Sequence, residues 1–180
     1  MNHRPIQVDH HALACVDDLV AQDHMMGQFR PTAVGVVQRA ALDLTMGREV
    51  LFVKSKYSDD WGFPQGGIER GERAMVGLFR ELLEEVEIPA TIVTSCAFYL
   101  RSEIRAQGKD LRDGFNSGKS YYYFGVRCAG RPHVVLNTAE VADHKWLPSK
   151  KALAFVQNLK NRDQKKRDDM LRALEEALAT

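Results

Sequence analysis

The 180-residue sequence predicts an α/β fold, and three features lead to this prediction. Apolar and β-branched stretches, typical of strands, recur along the chain. They lie at residues 32–38, 49–54, 90–100 and 121–128. A segment in the middle of the chain has the periodicity of an amphipathic helix, and the end predicts two more helices, at about 149–159 and 162–178. A chain of this length can bury one core, so we expect one domain with extensions.

The first 31 residues predict a polar extension that is partly helical, from about Ala12 to Met26. Its histidines lack the spacing of metal ligands, so packing on the domain is favoured over a metal site. We expect the domain proper to span 32–160 and a C-terminal helix within 161–180 to pack on it, because its leucines line one side.

The first two strands predict a β-hairpin, because the turn-like segment LTMGR separates them. Lys54 ends the second strand. Two interpretations of Lys54 stay open: a solvated strand end, which is favoured, and contact with a polyphosphate substrate.

The stretch Trp61–Ile88 organises the rest of the chain. It predicts a short strand, a turn and then a helix that carries Glu81, Glu84 and Glu85. Residues three and four positions apart share one face of a helix, so these carboxylates project together. Clustered carboxylate oxygens suit hard divalent cations, Mg²⁺ above all and Mn²⁺ as the alternative. The opposite, apolar side of the helix is predicted to consist of Met75, Phe79, Leu82, Leu83 and Val86.

The same stretch resembles the Nudix box. The matching residues are Gly66, Glu72, Arg80, Glu81, Leu82, Glu84, Glu85 and Ile88. The resemblance implies the Nudix fold, a mixed β-sheet sandwiched between α-helices, and metal-assisted attack of water on a phosphoanhydride. It also implies that Glu81, Glu84 and Glu85 bind the metal, with Gly66 offering its backbone, and that Glu72 and Arg80 brace the loop and helix around the catalytic glutamates.

One position departs from the family pattern, which has glycine where this chain has Glu87. A glycine at a helix end usually adopts a left-handed conformation, which costs other residues about 1 kcal/mol or more. Pro89 stops the helix in either case. We therefore expect Glu87 to change the helix end and its stability but to leave the chemistry intact.

The sequence WGFPQGGI at 61–68 is similar to that of the bacterial Nudix branch of dinucleoside polyphosphate hydrolases and RNA 5′-pyrophosphohydrolases. The resemblance implies a nucleotide or polyphosphate substrate, with an RNA 5′ end as one form. Backbone at Gly66 and Gly67 can approach a ligand closely, and Gln65 lies beside them. We expect Gln65 and Gly67 to contact substrate.

Residues 101–119 predict a charged loop with little periodicity. Its basic residues are Arg101, Arg105, Lys109, Arg112 and Lys119. Long loops in compact domains are often functional, so capture of phosphate or an RNA end is one interpretation, with Lys119 as a substrate contact. A solvated loop is the other, because acidic residues dilute the charge.

Two further groups of residues are candidates for the site. In the predicted strand 121–128, Tyr121 and Tyr123 share one face and are candidates for stacking on a base, although core packing is the more common role of such residues. Glu140 lies six residues before Trp146, a spacing that resembles the related hydrolases. The resemblance implies that Glu140 is an extra metal ligand or the general base; a surface glutamate is the alternative.

Composition sets outer limits on function. The net charge of +1 gives no global attraction to nucleic acid or membrane, and no apolar run approaches a membrane span. Three widely spaced cysteines favour reduced thiols in the cytoplasm over disulfides. The sequence does not distinguish a monomer from a homodimer.

The sequence therefore favours an Mg²⁺-dependent Nudix pyrophosphohydrolase that cleaves a dinucleoside polyphosphate or a 5′-triphosphorylated RNA end. The nearest alternative is a Nudix hydrolase of ADP-ribose, nucleotide sugars or nucleoside triphosphates. An alternative of another class is a non-catalytic Nudix module that senses nucleotides or binds proteins. The presence of every proposed metal ligand favours an enzyme.

Overall fold

A mixed β-sheet lies at the centre of the computed structural model, which describes residues 7, 10–42, 47–58, 60–105, 115, 117–160 and 163–179. In chain order the elements are α1 (His10–Met26), β1 (Phe29–Ala40), β2 (Arg48–Ser55), β3 (Trp61–Gly62), β4 (Gln65–Gly67), α2 (Ala74–Val86), β5 (Val93–Arg105), β6 (Gly118–Cys128), β7 (Val141–Pro148), α3 (Ser149–Gln157) and α4 (Gln164–Ala179).

The sheet has the order β3-β2-β1-β6-β5, with β4 paired to β1 and β7 paired to β2. The predicted hairpin is present, since β1 and β2 pair antiparallel. β1 begins at Phe29, before the predicted domain start at residue 32, and runs parallel to β6. Its apolar run is buried on both faces, as expected for a central strand.

Helices cover both faces of the sheet. α1 and α2 pack on one face, with Val16, Leu78 and Leu82 in the first core cluster. α3 and α4 pack on the other, with Val156 and Leu174 in the second. Period-2 alternation sends successive β6 side chains into these two cores. The predicted α/β fold with a mixed sheet between helices is thus confirmed. None of the described helices has the combination of length and apolar character that crossing a bilayer requires.

Three local predictions were wrong. The apolar sequence His133–Leu136 predicts a short strand, but these residues form none. β5 continues to Arg105, so the predicted loop does not begin at 101; Lys109 and Arg112 lie outside the described residues. Leu83 is exposed, and the buried face of α2 instead includes Leu78. Hydrophobic periodicity does not predict the C-terminal part of β5, because its polar residues find partners on the helices. Ser102, for example, donates a hydrogen bond to Asp169 of α4.

The C-terminal end of α1 is held to the sheet by a buried polar cluster. The Asp23 carboxylate accepts hydrogen bonds from Arg101 Nη2 at 2.6 Å and from the Tyr122 hydroxyl at 2.6 Å. Arg101 also donates to Ser120 Oγ at 3.2 Å. Because these groups are paired, the polar face of α1 docks without leaving a buried charge unsatisfied.

Glu87 ends α2 in the left-handed conformation that the family pattern assigns to glycine, with φ 52° and ψ 37°. The amides of Glu87 and Ile88 donate to the carbonyls of Leu83 and Leu82, at 3.1 and 3.0 Å, so the turn is closed by hydrogen bonds despite the side chain. Glu87 is the one non-glycine residue with positive φ in the described part of the chain. The strain is therefore local to this position.

The change Glu87→Gly is expected to stabilise the protein by about 0.5–1 kcal/mol, because glycine removes left-handed strain of about 1–2 kcal/mol but adds backbone entropy to the unfolded chain. Urea denaturation measures the difference. Glu87→Ala is the matched control: it removes the same carboxylate but keeps Cβ, so it should give no such gain. An equal gain from both variants would mean that charge, not backbone strain, is responsible.

Candidate active site

The helix α2 and the loop before it position the predicted carboxylates. Leu78, Leu82 and Val86 anchor the helix on the sheet, which turns Glu81 and Glu85 toward β4. The N-terminus of α2 has no cap from its own sequence. Asp17 of α1 supplies one instead.

Asp17 reaches the helix from a distant part of the chain. Its Oδ1 accepts a hydrogen bond from the Ala74 amide at 2.8 Å, and its Oδ2 accepts one from Arg73 Nε at 2.9 Å. A carboxylate at this position satisfies an unpaired amide and lies favourably in the helix dipole. The N-terminal extension thus helps to fix the helix that carries the acidic residues.

The change Asp17→Ala is expected to cost about 1 kcal/mol of stability, the usual cost of removing a helix cap. Little of this should come from the ion pair, because the Arg73 side chain is 73% exposed. Chemical denaturation of Asp17→Ala and Asp17→Asn separates the two contributions, since asparagine can still cap. Asp18→Ala, a change at an exposed neighbour, is the control. A loss as large in Asp17→Asn would assign the effect to charge.

Two glycines bring the loop and the helix into close contact. A Cβ added to Gly66 would lie 1.8 Å from the carboxyl carbon of Glu81, so that carboxylate packs directly on the Gly66 backbone. A Cβ on Gly77 would lie 2.8 Å from Oε2 of Glu72. A side chain at position 66 would displace the Glu81 carboxylate, so glycine keeps that acidic group in its place.

An acidic cavity of about 400 Å³ opens beside these residues. We call it the acidic cavity because four carboxylates line it: Glu81, Glu84 and Glu85 from α2 and Glu140 from the turn before β7. Glu140 is held there by backbone contacts, since the amide of Lys56 donates to its carbonyl at 2.9 Å. The rest of the lining consists of Arg30, Thr32, Val53, Ser55, Tyr57, Asp60, Phe63, Gln65, Gly66, Gly67, Lys119 and Val141.

Arg80 lies outside this cavity and braces the loop. Its guanidinium donates to Glu72 Oε1 and Oε2, each at 3.0 Å, and to the Gly67 carbonyl at 2.7 Å. It also contacts Glu81 at 2.7 Å and Glu84 at 3.1 Å. Burial alone would raise the pKa of Glu72, but the hydrogen bonds from Arg80 and from the Glu69 amide outweigh it and lower that pKa. Arg80 thus links Glu72 and the Gly67 carbonyl to the helix, and the role of the pair in bracing the catalytic glutamates stays a prediction.

Burial and the neighbouring carboxylates oppose ionisation of the carboxyl groups in this cavity. Burial raises the pKa of Glu85 to about 8, opposed by the hydrogen bond from the Gln65 amide and reinforced by the nearby Glu81, Glu140 and Glu84. Burial also raises the pKa of Glu81, against the effect of Arg80. Ionised carboxylates crowded in a half-buried site require a compensating positive charge.

This donor set fits a hard divalent cation. Its atoms are carboxylate oxygens, the ligands preferred by Mg²⁺ and Mn²⁺, and the Gly66 backbone lies against one of them. No three acidic, histidine or cysteine side chains in the described ranges already form a metal-binding arrangement. Two of the carboxylates are engaged by other groups: Glu84 accepts a hydrogen bond from Arg80, and Glu85 accepts the Gln65 amide at 2.9 Å.

The predicted substrate-binding residues divide into two groups. Gln65, Gly67 and Lys119 line the acidic cavity. The others do not: Lys54 lies within β2, opposite Trp61. Tyr121 and Tyr123 are also outside the lining; they are buried in the core under α4, where Lys166 contacts the Tyr121 ring. The structure therefore brings together the acidic residues and part of the predicted substrate contacts.

Among the cavity residues that sequence reasoning missed, Arg30 and Tyr57 stand out because a cation and an aromatic ring can both contact a nucleotide. Arg30 at the start of β1 lies opposite Lys119 of β6 in the parallel ladder, and both line the cavity. Tyr57, 78% exposed, lies at its rim. Pairing of distant strands leaves no local signal for Arg30, whereas an aromatic residue in the polar segment before the box was a usable signal for Tyr57.

Comparison with known proteins agrees with this geometry. The family model of the NUDIX domain matches residues 29–174. An RNA pyrophosphohydrolase from a Nitratiruptor species is 28% identical over 139 residues, which cover 72% of this chain and 84% of that protein.

Two solved structures share the fold. The E. coli dihydroneopterin triphosphate pyrophosphohydrolase superposes with a TM-score of 0.61 and 22% identity, covering 84% of this chain and 98% of the other. The binary complex of a C. elegans Ap4A hydrolase gives a TM-score of 0.60 and 20% identity, covering 83% and 98%. At these identities the two structures show a shared fold and nothing more specific.

Proposed function

This chain belongs to the NUDIX domain family and is a hydrolase of pyrophosphate bonds, and we propose that its substrate is a nucleoside polyphosphate, either a dinucleoside polyphosphate or a 5′-triphosphorylated RNA end. The convergence of four carboxylates with Arg30 and Lys119 around one cavity carries this proposal. The relative named as an RNA pyrophosphohydrolase supports the substrate class. The same proposal includes Mg²⁺ as the metal that the enzyme uses and the cytoplasm as the compartment where it acts.

Glu81, Glu84 and Glu85 would hold the divalent cation, with the Gly66 backbone beside them. When bound, the cation supplies positive charge to the phosphate oxygens and lowers the pKa of water. The chain's own residues provide the rest: Arg30 and Lys119, on adjacent strands at the cavity, donate hydrogen bonds to phosphate oxygens.

The proposed reaction is a displacement at phosphorus. Glu140 accepts a proton from the attacking water as the oxygen–phosphorus bond forms, and the anhydride bond to the leaving phosphate or nucleotide breaks. Glu140 comes from the turn before β7 and faces the cavity opposite α2. A base on a separate element can meet the water without competing with the helix carboxylates for position.

A substrate panel tests the proposal. Purified protein is treated with a chelator, dialysed, and assayed with added Mg²⁺ or Mn²⁺ on diadenosine tetraphosphate, triphosphorylated RNA, ADP-ribose, nucleotide sugars and single nucleoside triphosphates. We expect metal-dependent hydrolysis of one or both of the first two. Activity confined to ADP-ribose or sugars would retain the reaction class and reject the proposed substrate. Silence on every compound in folded protein would reject both.

A further inference from the structure

A second cavity lies directly beside the acidic one. It has a volume of about 420 Å³, and we call it the arginine cavity. Its lining consists of His24, Arg30, Gly67, Ile68, Glu69, Arg70, Arg80, Glu81 and Phe115. Arg30, Gly67 and Glu81 line both cavities, so one ligand can occupy the two together.

His24, near the end of α1, is an unusual group in this lining. The residue is 9% exposed, and its Nε2 is buried with no hydrogen-bond partner. Burial and the charge of Arg70 lower the pKa of His24, against neighbouring carbonyls and Asp23, so the imidazole is neutral near pH 7. A buried polar atom without a partner costs stability. Nε2 is therefore a group that a ligand can satisfy.

Phe115 gives the same cavity an aromatic surface. Its ring centroid lies 5.8 Å from that of His24, with 51° between the planes. Flat aromatic rings bind nucleobases by stacking, and nearby polar atoms bind the base edge. An aromatic ring beside an unpaired imidazole nitrogen offers both kinds of contact.

The charges of the cavity suit a base better than a phosphate. Arg80 is already paired with glutamates and with the Gly67 carbonyl. Arg70 Nη2 contacts the His24 carbonyl at 3.3 Å, and the carboxylates Glu69 and Glu81 share the lining. A mixed surface of this kind offers donors and acceptors to a neutral heterocycle.

We propose that the arginine cavity binds a nucleobase of the substrate, stacked on Phe115 and hydrogen-bonded to His24 Nε2, while the phosphates lie in the acidic cavity. This inference rests on the proposed function and adds the place where the nucleoside is held. It also gives α1, which lies outside the matched family residues 29–174, a direct part in substrate binding.

The first test is binding without catalysis. Adenosine and guanosine are titrated into metal-free protein while the ring resonances of His24 and Phe115 are followed by NMR. We expect both to shift, and Phe115→Leu to weaken binding about tenfold, the loss typical of one stacked base. Tyr57→Leu tests the competing location at the acidic cavity. Loss of binding in Tyr57→Leu but not in Phe115→Leu would overturn the proposal, as would unshifted resonances.

The second test separates binding from structure. His24→Leu removes an unpaired buried nitrogen, so thermal unfolding should show no loss of stability, yet KM for the best nucleotide substrate should rise about tenfold with a smaller change in kcat. Unchanged KM in both His24→Leu and Phe115→Leu would overturn the base site while leaving the proposed function standing. An inactive wild-type protein that still binds nucleosides here would reject the proposed function and retain the base site.

Discussion

Replacing Glu84 with glutamine is expected to reduce hydrolysis by about 10²- to 10³-fold, since loss of a metal ligand removes several kcal/mol of transition-state stabilisation. The variant should fold normally. The Glu84 side chain is 55% exposed, and its contact with Arg80 at 3.1 Å is a surface ion pair, which contributes little to stability. Steady-state assays on the best substrate of the panel, with Mn²⁺ binding by calorimetry, measure the effect.

Glu87→Gln is the matched control for this experiment. It makes the same chemical change further along the chain, at an exposed residue outside the acidic cavity. Activity and metal binding should match the wild type. If Glu84→Gln kept its activity, Glu84 would not be a metal ligand; if both variants lost it equally, the effect would be one of charge on the helix as a whole.

Gly66→Ala is expected to lower kcat by about 10²-fold while leaving stability nearly unchanged. The new methyl group would occupy the place of the Glu81 carboxylate, which can rotate away cheaply because it is the end of a flexible side chain. Displacement of a catalytic group by about 1 Å costs roughly this much. The assay pairs kcat with the midpoint of urea unfolding.

Gly130→Ala is the control for this experiment, because it is expected to lower stability and leave activity unchanged. Gly130 has φ 60° and no atom near its Cβ position, so alanine should cost about 1 kcal/mol or more through backbone strain alone. It lies outside both cavities, so activity below the unfolding transition should be retained. Equal losses of activity in the two variants would show that Gly66→Ala acts through general destabilisation.

The sequence predicted the parts of the molecule whose signals are local. The box helix was predictable because helix geometry fixes which of Glu81, Glu84 and Glu85 share a face, and the hairpin because a turn separates two apolar strands. Leu83 was assigned wrongly since helical periodicity does not define how wide the covered face is. Arg101 was assigned to a loop because its strand position depends on an ion pair with Asp23 of α1, which is distant in the sequence.

Contacts between distant segments were beyond local reasoning. The register that sets Arg30 opposite Lys119 depends on a parallel pairing of the first strand with the sixth. The cap that Asp17 places on α2 and the cavity shared by His24 and Phe115 both join α1 to segments far along the chain. Hydrophobic patterning identifies neither, because polar contacts across a fold have no period.

The hydrogen bond between Asp23 and Tyr122 joins residues 99 positions apart in the sequence. This separation has a consequence for biosynthesis. During translation, β1 emerges early but cannot pair with β6 until Tyr122 has left the ribosome. Until then α1 lacks its anchor on the sheet and β1 lacks one neighbour, so apolar surface stays exposed to aggregation and to chaperones. A nascent chain that ends before Tyr122 should thus be degraded readily by protease, and one that includes all of β6 should begin to resist.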